Sequence, residues 1–174
     1  ELLKSQDPDS VLAVIRHTNQ VSDYTDLVSD IRIDKLKKDG ITFGDGRHID
    51  IEPIEEADTG YIRRVNGQDE IHIDEVKKNI NTLRKKVAGD KYSQLDKLER
   101  WSKDALPGEP RRVSMVVDST EKWTDMFRRP NYGQDPHVLA ELAKRKIPLQ
   151  IGDYSLDVPH MKQLISVEEE LKAI

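Results

Sequence analysis

The chain has 174 residues, of which 36% are hydrophobic and 35% charged, and it carries a net charge of −5. That length suits one domain around one core, and Ile, Leu and Val recur too often for a disordered chain. No apolar run approaches the ~20 residues that span a bilayer, no cysteine offers a disulfide or a thiolate metal site, and the acidic balance argues against a protein that coats nucleic acid indiscriminately.

Absence of cysteine suits the cytosol and equally a protein that crosses compartments. The chain opens on Glu1 rather than Met, as a boundary within a longer protein would, its C-terminal domain included. Residues 1–40 read as a helical segment packed on a core that spans 41–174, the two forming one compact domain. Within the first part, Asp7-Pro8 starts a helix over 8–19, with Val11, Leu12 and Ile15 at helical spacing. A second helix is expected over 23–38, capped by Ser22 or Asp23 and ended by Gly40.

A β region follows. Ile41-Thr42-Phe43 leads into the turn Gly44-Asp45-Gly46, and His48 to Glu52 alternates. His48, Asp50 and Glu52 share a face there, which reads most simply as an exposed strand face. Gly60–Val65, Asn66-Gly67 and Gln68–Lys77 then form a hairpin, since Asn-Gly between alternating runs is the strongest short-range hairpin signal. Residues 79–103 read as helical, with a break near Gly89-Asp90. A buried strand is expected over Arg112–Asp118, helices over 120–128 and 136–146, a strand over Ile147–Ile151 and a helix over 159–173. Trp101, Trp123 and Phe127 belong to the core. The fold class is therefore α/β: a central mixed sheet with an antiparallel hairpin, flanked by helices.

The hairpin has a definite register. With Asn66 and Gly67 as the two loop residues, Val65 faces Gln68, Arg64 faces Asp69, Arg63 faces Glu70 and Ile62 faces Ile71. Continued outward, the same register sets Asp58 opposite Glu75. Period-two alternation puts Ile71, Ile73, Glu75 and Lys77 on one face with Asp58. Two adjacent carboxylates repel unless a cation lies between them. Mg²⁺ accepts such oxygen ligands together with water and phosphate oxygens. A neighbouring lysine can orient a water or neutralise a developing phosphate charge.

Asp58, a strand, a turn and then Ile71-His72-Ile73-Asp74-Glu75-Val76-Lys77 resemble the core of the PD-(D/E)xK, or restriction-endonuclease-like, nuclease superfamily. The nearest likeness is to toxin domains at the C-termini of bacterial polymorphic and contact-dependent growth inhibition proteins. The resemblance covers roughly residues 41–118, and Ala57 stands where the family often has proline. It implies a restriction-endonuclease-like core and an endonuclease that hydrolyses DNA or RNA. Asp58 and Glu75 would bind Mg²⁺ or Mn²⁺ in preference to Zn²⁺, and Lys77 would position water. Glu52, Glu55 or Glu56 would add a ligand, and Gln94 in the following helix would stand beside the site.

From Lys77 to Lys103 nine basic residues face three acidic ones, a local charge of +6. Lys78, Arg84, Lys85 and Lys86 in this stretch would hold the substrate backbone. As a growth-inhibition toxin the protein would be soluble, would act in a bacterial cytoplasm after delivery within a larger protein, and would have a cognate immunity protein. The other reading is a non-catalytic interaction domain of a larger bacterial or phage protein. Asp7, Asp9, Asp23, Asp26 and Asp30 would then offer an acidic surface to a partner.

Overall fold

The turn at Asn66-Gly67 organises the sheet. Both residues have positive φ (51° and 77°), the conformation that a two-residue hairpin turn requires and that Asn and Gly adopt most readily. In the computed structural model, which describes residues 7–33, 36–37, 39–54, 56–89, 93–126 and 134–173, the turn joins the two longest partners of the hairpin. These are β5 (Thr59–Val65) and β6 (Gln68–Lys77), whose numbering uses β1 (Leu36–Lys37), β2 (Ile41–Thr42), β3 (His48–Ile49) and β4 (Glu56–Ala57) for the short strands before them. The pairing runs without a bulge from Val65↔Gln68 to Thr59↔Asp74, which is the register the sequence implies.

A parallel strand requires a crossover. The helices α2 (Ile80–Gly89) and α3 (Ser93–Lys103) supply it and return the chain to β7 (Arg111–Val117), parallel to β6. After α4 (Gln134–Lys144), β8 (Leu149–Ile151) adds a second parallel pair and β9 (Tyr154–Leu156) closes the far side antiparallel. The sheet order is β5-β6-β7-β8-β9, and α5 (Val158–Ala173) follows. The sheet is thus mixed, with flanking helices.

Each face of β6 has its own cover. Ile71 and Ile73, with Val113, Met115 and Val117 of β7, pack on Leu83, Val87, Leu95, Leu98 and Trp101 of α2 and α3 and on the α4 residues Leu139 and Leu142. Val76 and Val116 point the other way, onto Ala13 and Val14 of α1 (Pro8–Ser22). That helix begins as the sequence implies: Asp7 accepts hydrogen bonds from the Asp9 and Ser10 amides, with Pro8 in the first turn. Burying an Ile or Leu side chain in these layers contributes about 1.5–3 kcal/mol each.

Among the described residues, two expected helices are not formed. Residues 26–32 run along the outer edge of β5 instead. Leu27 bridges Arg63 and Arg32 bridges Gly60. The Val28 amide donates to Ile62 O at 3.0 Å, and the Ile62 amide donates to Ser29 Oγ at 2.8 Å. Asp26, Ser29 and Asp30 offer side-chain partners to the backbone instead of a helix interior, and the open edge of β5 supplies the ladder that decides the outcome. Among the described residues of 120–128 only Trp123–Asp125 forms a short 3₁₀ turn, and Glu121 Oε1 accepts the Ile80 amide at the start of α2 (2.9 Å). Phe127 lies outside the described residues. The strand β9 has no counterpart in the sequence reading, and the strand expected from His48 to Glu52 is limited to His48–Ile49.

Arg84 is turned inward. Its Nε and Nη2 bind both oxygens of the fully buried Asp135 at 2.6 and 2.8 Å, tying α2 to α4. The bidentate geometry satisfies both groups, so Arg84 belongs to the packing and not to a substrate surface. Replacing it by alanine leaves Asp135 without this partner. Arg84→Ala is expected to lose about 3–5 kcal/mol of stability, read from the midpoint of urea denaturation. An unchanged midpoint would exclude this role.

Candidate functional site

The C-terminal end of β6 brings four of the sequence-selected side chains together. Asp58 sits just before β5, and its Oδ2 accepts the Val76 amide at 2.9 Å, which holds the carboxylate across from the end of β6. Its side chain also hydrogen-bonds to Glu75. Glu75 is 3% exposed. Its Oε2 receives Gln94 Nε2 from α3 at 3.0 Å and lies 3.7 Å from Lys77 Nζ. Gln94 Oε1 is buried without a hydrogen-bond partner.

Burial, and then the neighbouring Asp58 carboxylate, push the Glu75 carboxyl up to about 8, against the opposing pull of Lys77 and Lys86. Lys86 therefore acts on the site from α2 through its charge. Lys78 reaches away to Asp7 (3.3 Å), Lys85 is exposed, and Arg84 is internal.

Glu52 does not join the cluster. It lines a separate recess with Asp50, Arg100 and Arg111. Arg111 pairs with Ile71, four residues and about 13 Å along the strand from Glu75. Glu55 and the Glu56 side chain lie outside the described residues. The His48–Asp50–Glu52 face is likewise not a cluster: His48 bonds to Thr42 Oγ1 at 2.8 Å, and Asp50 accepts the Glu52 amide at 2.9 Å.

The opposite face of the same strand carries residues that the sequence reading passes over. Asp74 is 2% exposed; its Oδ2 meets His17 Nε2 of α1 at 2.6 Å and accepts Tyr61 OH at 2.7 Å. Burial alone would lower the His17 pKa, but the hydrogen bond and charge of Asp74 outweigh it and raise it. Gln20 continues the network from His17 Nδ1 (3.2 Å) to Asp153 (3.1 Å). At the end of the neighbouring strand, Asp118 is buried and accepts Arg16 Nη1 at 2.8 Å, while its amide donates to Lys77 O at 2.9 Å. A signal was present for His17 and Asp74, since a histidine on the apolar face of α1 and an aspartate inside a strand both need buried partners. Nothing in the local sequence pairs them across 57 positions.

Two carboxylates, one amide and one ammonium suit an ion that takes few protein ligands and keeps water. Among the described residues no group of three or more His, Asp or Glu side chains converges to hold a metal. The carboxylates of Asp58 and Glu75 are chemically suited to a divalent cation whose remaining ligands are water and phosphate oxygens.

The raised Glu75 value has a thermodynamic consequence. Folded Glu75 holds its proton to about 8, whereas its ordinary value is near 4.5, so the folded state binds more protons between those limits. Without metal, stability is expected to fall as pH rises from about 4.5 to 8. In Glu75→Gln this decline should largely vanish. Thermal unfolding in a chelator across that range measures it, and a wild-type decline retained in the variant would assign it to another group.

No helix among the described residues is long and apolar enough to cross a membrane. Comparison of the chain with protein-family models, with curated proteins and with solved structures finds no match.

Proposed function

We propose that this protein is a metal-dependent endonuclease that hydrolyses phosphodiester bonds of DNA or RNA and serves as the toxin of a bacterial competition system. The observation that carries the reading is the meeting of Asp58, Lys77 and Gln94 around the buried Glu75. The antiparallel hairpin followed by a helix supports it, being the succession the resemblance implies.

In this reading Asp58 and Glu75 hold Mg²⁺ or Mn²⁺. The bound ion supplies a Lewis acid for phosphate oxygens and lowers the pKa of a coordinated water. Gln94 fixes the Glu75 carboxylate by its 3.0 Å hydrogen bond. Lys77, next to that carboxylate, orients the attacking water and offsets negative charge as it grows on the phosphate oxygens. Lys86 adds positive potential from α2. Water attacks phosphorus, the P–O bond to one sugar breaks, and that oxygen leaves with a proton.

The alternative of a non-catalytic acidic docking surface draws less support from the named aspartates. Asp7 caps α1, Asp26 binds Arg63 at 2.8 Å, and Asp30 accepts the Gly44 amide at 2.8 Å. A toxin would act in the cytoplasm of a target bacterium, held in check in its producer by an immunity protein.

The test is cleavage of plasmid DNA and of total RNA with Mg²⁺, with Mn²⁺ and with chelator. Wild type should cut one of the two substrates only with metal. Glu75→Gln and Lys77→Ala should each lower the rate at least about 100-fold, and expression of wild type, but not of Glu75→Gln, should arrest bacterial growth. Cutting that both variants retain would place the chemistry elsewhere, and failure to cut either substrate would favour the interaction domain.

A further inference from the structure

The end of the sheet where β7 starts lies remote from Glu75. A recess of about 390 Å³ opens there, within the ~300–1,000 Å³ usual for small-molecule sites. Lys103, Arg111, Arg112, Arg145 and Lys146 line it together with Glu70. The recess belongs to the strand starts: Arg112 pairs with His72, whose side chain alternates to the face opposite Glu75.

The cations are anchored from behind. Arg145 is held by Asp96 and Glu141, Lys103 by Glu99 (3.1 Å) and Arg112 by Glu70 (3.3 Å). Arg111 lies over the Trp101 ring, donates Nη1 to Trp101 O at 3.1 Å and approaches Glu109 only to 3.8 Å; its Nε is buried without a partner. Lys146 adds an independent sign. It ends α4 with φ +59°, while its amide donates to Ala143 O and the Ile147 amide to Leu142 O, both at 3.0 Å. This is the left-handed cap position that glycine normally fills. A lysine there keeps backbone strain that glycine would relieve and places an exposed cation on the recess.

We propose that this recess binds a phosphate group, separately from the Asp58–Glu75 site. Phosphate matches the donor set: guanidinium groups bind its oxygens in pairs, and lysine supplies a point charge. The Ser114 hydroxyl lies in the lining as a further donor.

The test is titration in chelator with inorganic phosphate, followed by calorimetry and by thermal unfolding against sodium chloride of equal ionic strength. Wild type should show saturable binding and a phosphate-specific rise in Tm. Arg112→Ala and Lys146→Gly should each weaken binding by about threefold or more. Lys146→Gly should keep or raise the Tm without phosphate, since glycine suits that backbone, so weaker binding is readable as loss of the cation. Glu75→Gln should bind phosphate like wild type, whatever its effect on cleavage. A second arm uses a short oligonucleotide without terminal phosphates: binding weakened by the same two variants identifies a phosphodiester as the source, and phosphate binding alone identifies a small phosphate. Absence of any effect beyond chloride, or equal binding in Lys146→Gly and Arg112→Ala, overturns the proposal, as does phosphate binding lost only in Glu75→Gln.

Discussion

Everything at the candidate site depends on the period of two along β6. Ile71 and Ile73 must face α2 and α3 to close the larger core, and that requirement carries Glu75 to the same side. Asp74 and Val76 are sent with equal necessity to α1. A slip of one residue would expose two isoleucines and exchange the partners of both acids. The apolar pattern and the Asn66-Gly67 turn therefore fix the chemistry as firmly as they fix the packing. Asp58 has its place by the same rule: the ladder ends at Thr59↔Asp74, and the Val76 amide, left beyond it, takes Asp58 as acceptor.

Adjacent buried acids on opposite faces of one strand meet different fates. Asp74 meets His17 and Tyr61 through its Oδ2, while its Oδ1 is buried without a hydrogen-bond partner. Glu75 has Gln94 at hydrogen-bond distance and Lys77 farther off, with a second carboxylate beside it. Its environment favours the proton over the bare charge, and a cation would serve the same electrostatic need. One strand thus combines an acid that ties a helix to the sheet through His17 with one that shares its surroundings with a second carboxylate.

Much of this was legible in the sequence. The hairpin register, a buried strand over 112–118, a helical break near Gly89-Asp90 and the placing of Asp58 with Glu75 and Lys77 follow from alternation, turn chemistry and spacing, all of them local quantities, whereas Gln94 was expected beside them only from the family resemblance. The segment 23–38 was misread because Leu27, Val28 and Ile31 fit a helical face, while the deciding partner, the open edge of β5, lies over thirty residues away. Arg84 was misread for the same reason: a charged residue in a basic run looks solvated until Asp135 is known to face it. Glu52 is near Asp58 in sequence, but it belongs to the other end of the sheet. Helix and hairpin signals are carried by neighbours, whereas ion pairs and edge strands are decided by tertiary contact.

The extended run from Asp26 to Arg32 also bears on how the molecule behaves at high concentration. An exposed strand edge is a template for another chain, and β5, seven residues long, would be an inviting one. The protein's own N-terminal region already occupies that edge, through the hydrogen bonds of Val28, Arg32 and Arg64. The far edge, β9, is three residues long, and the Trp123 indole takes its Tyr154 carbonyl at 3.1 Å. One side is shielded by self-pairing and the other by brevity. Trimming the chain to start after Arg32 would bare the longer edge and leave it open to pair with another chain.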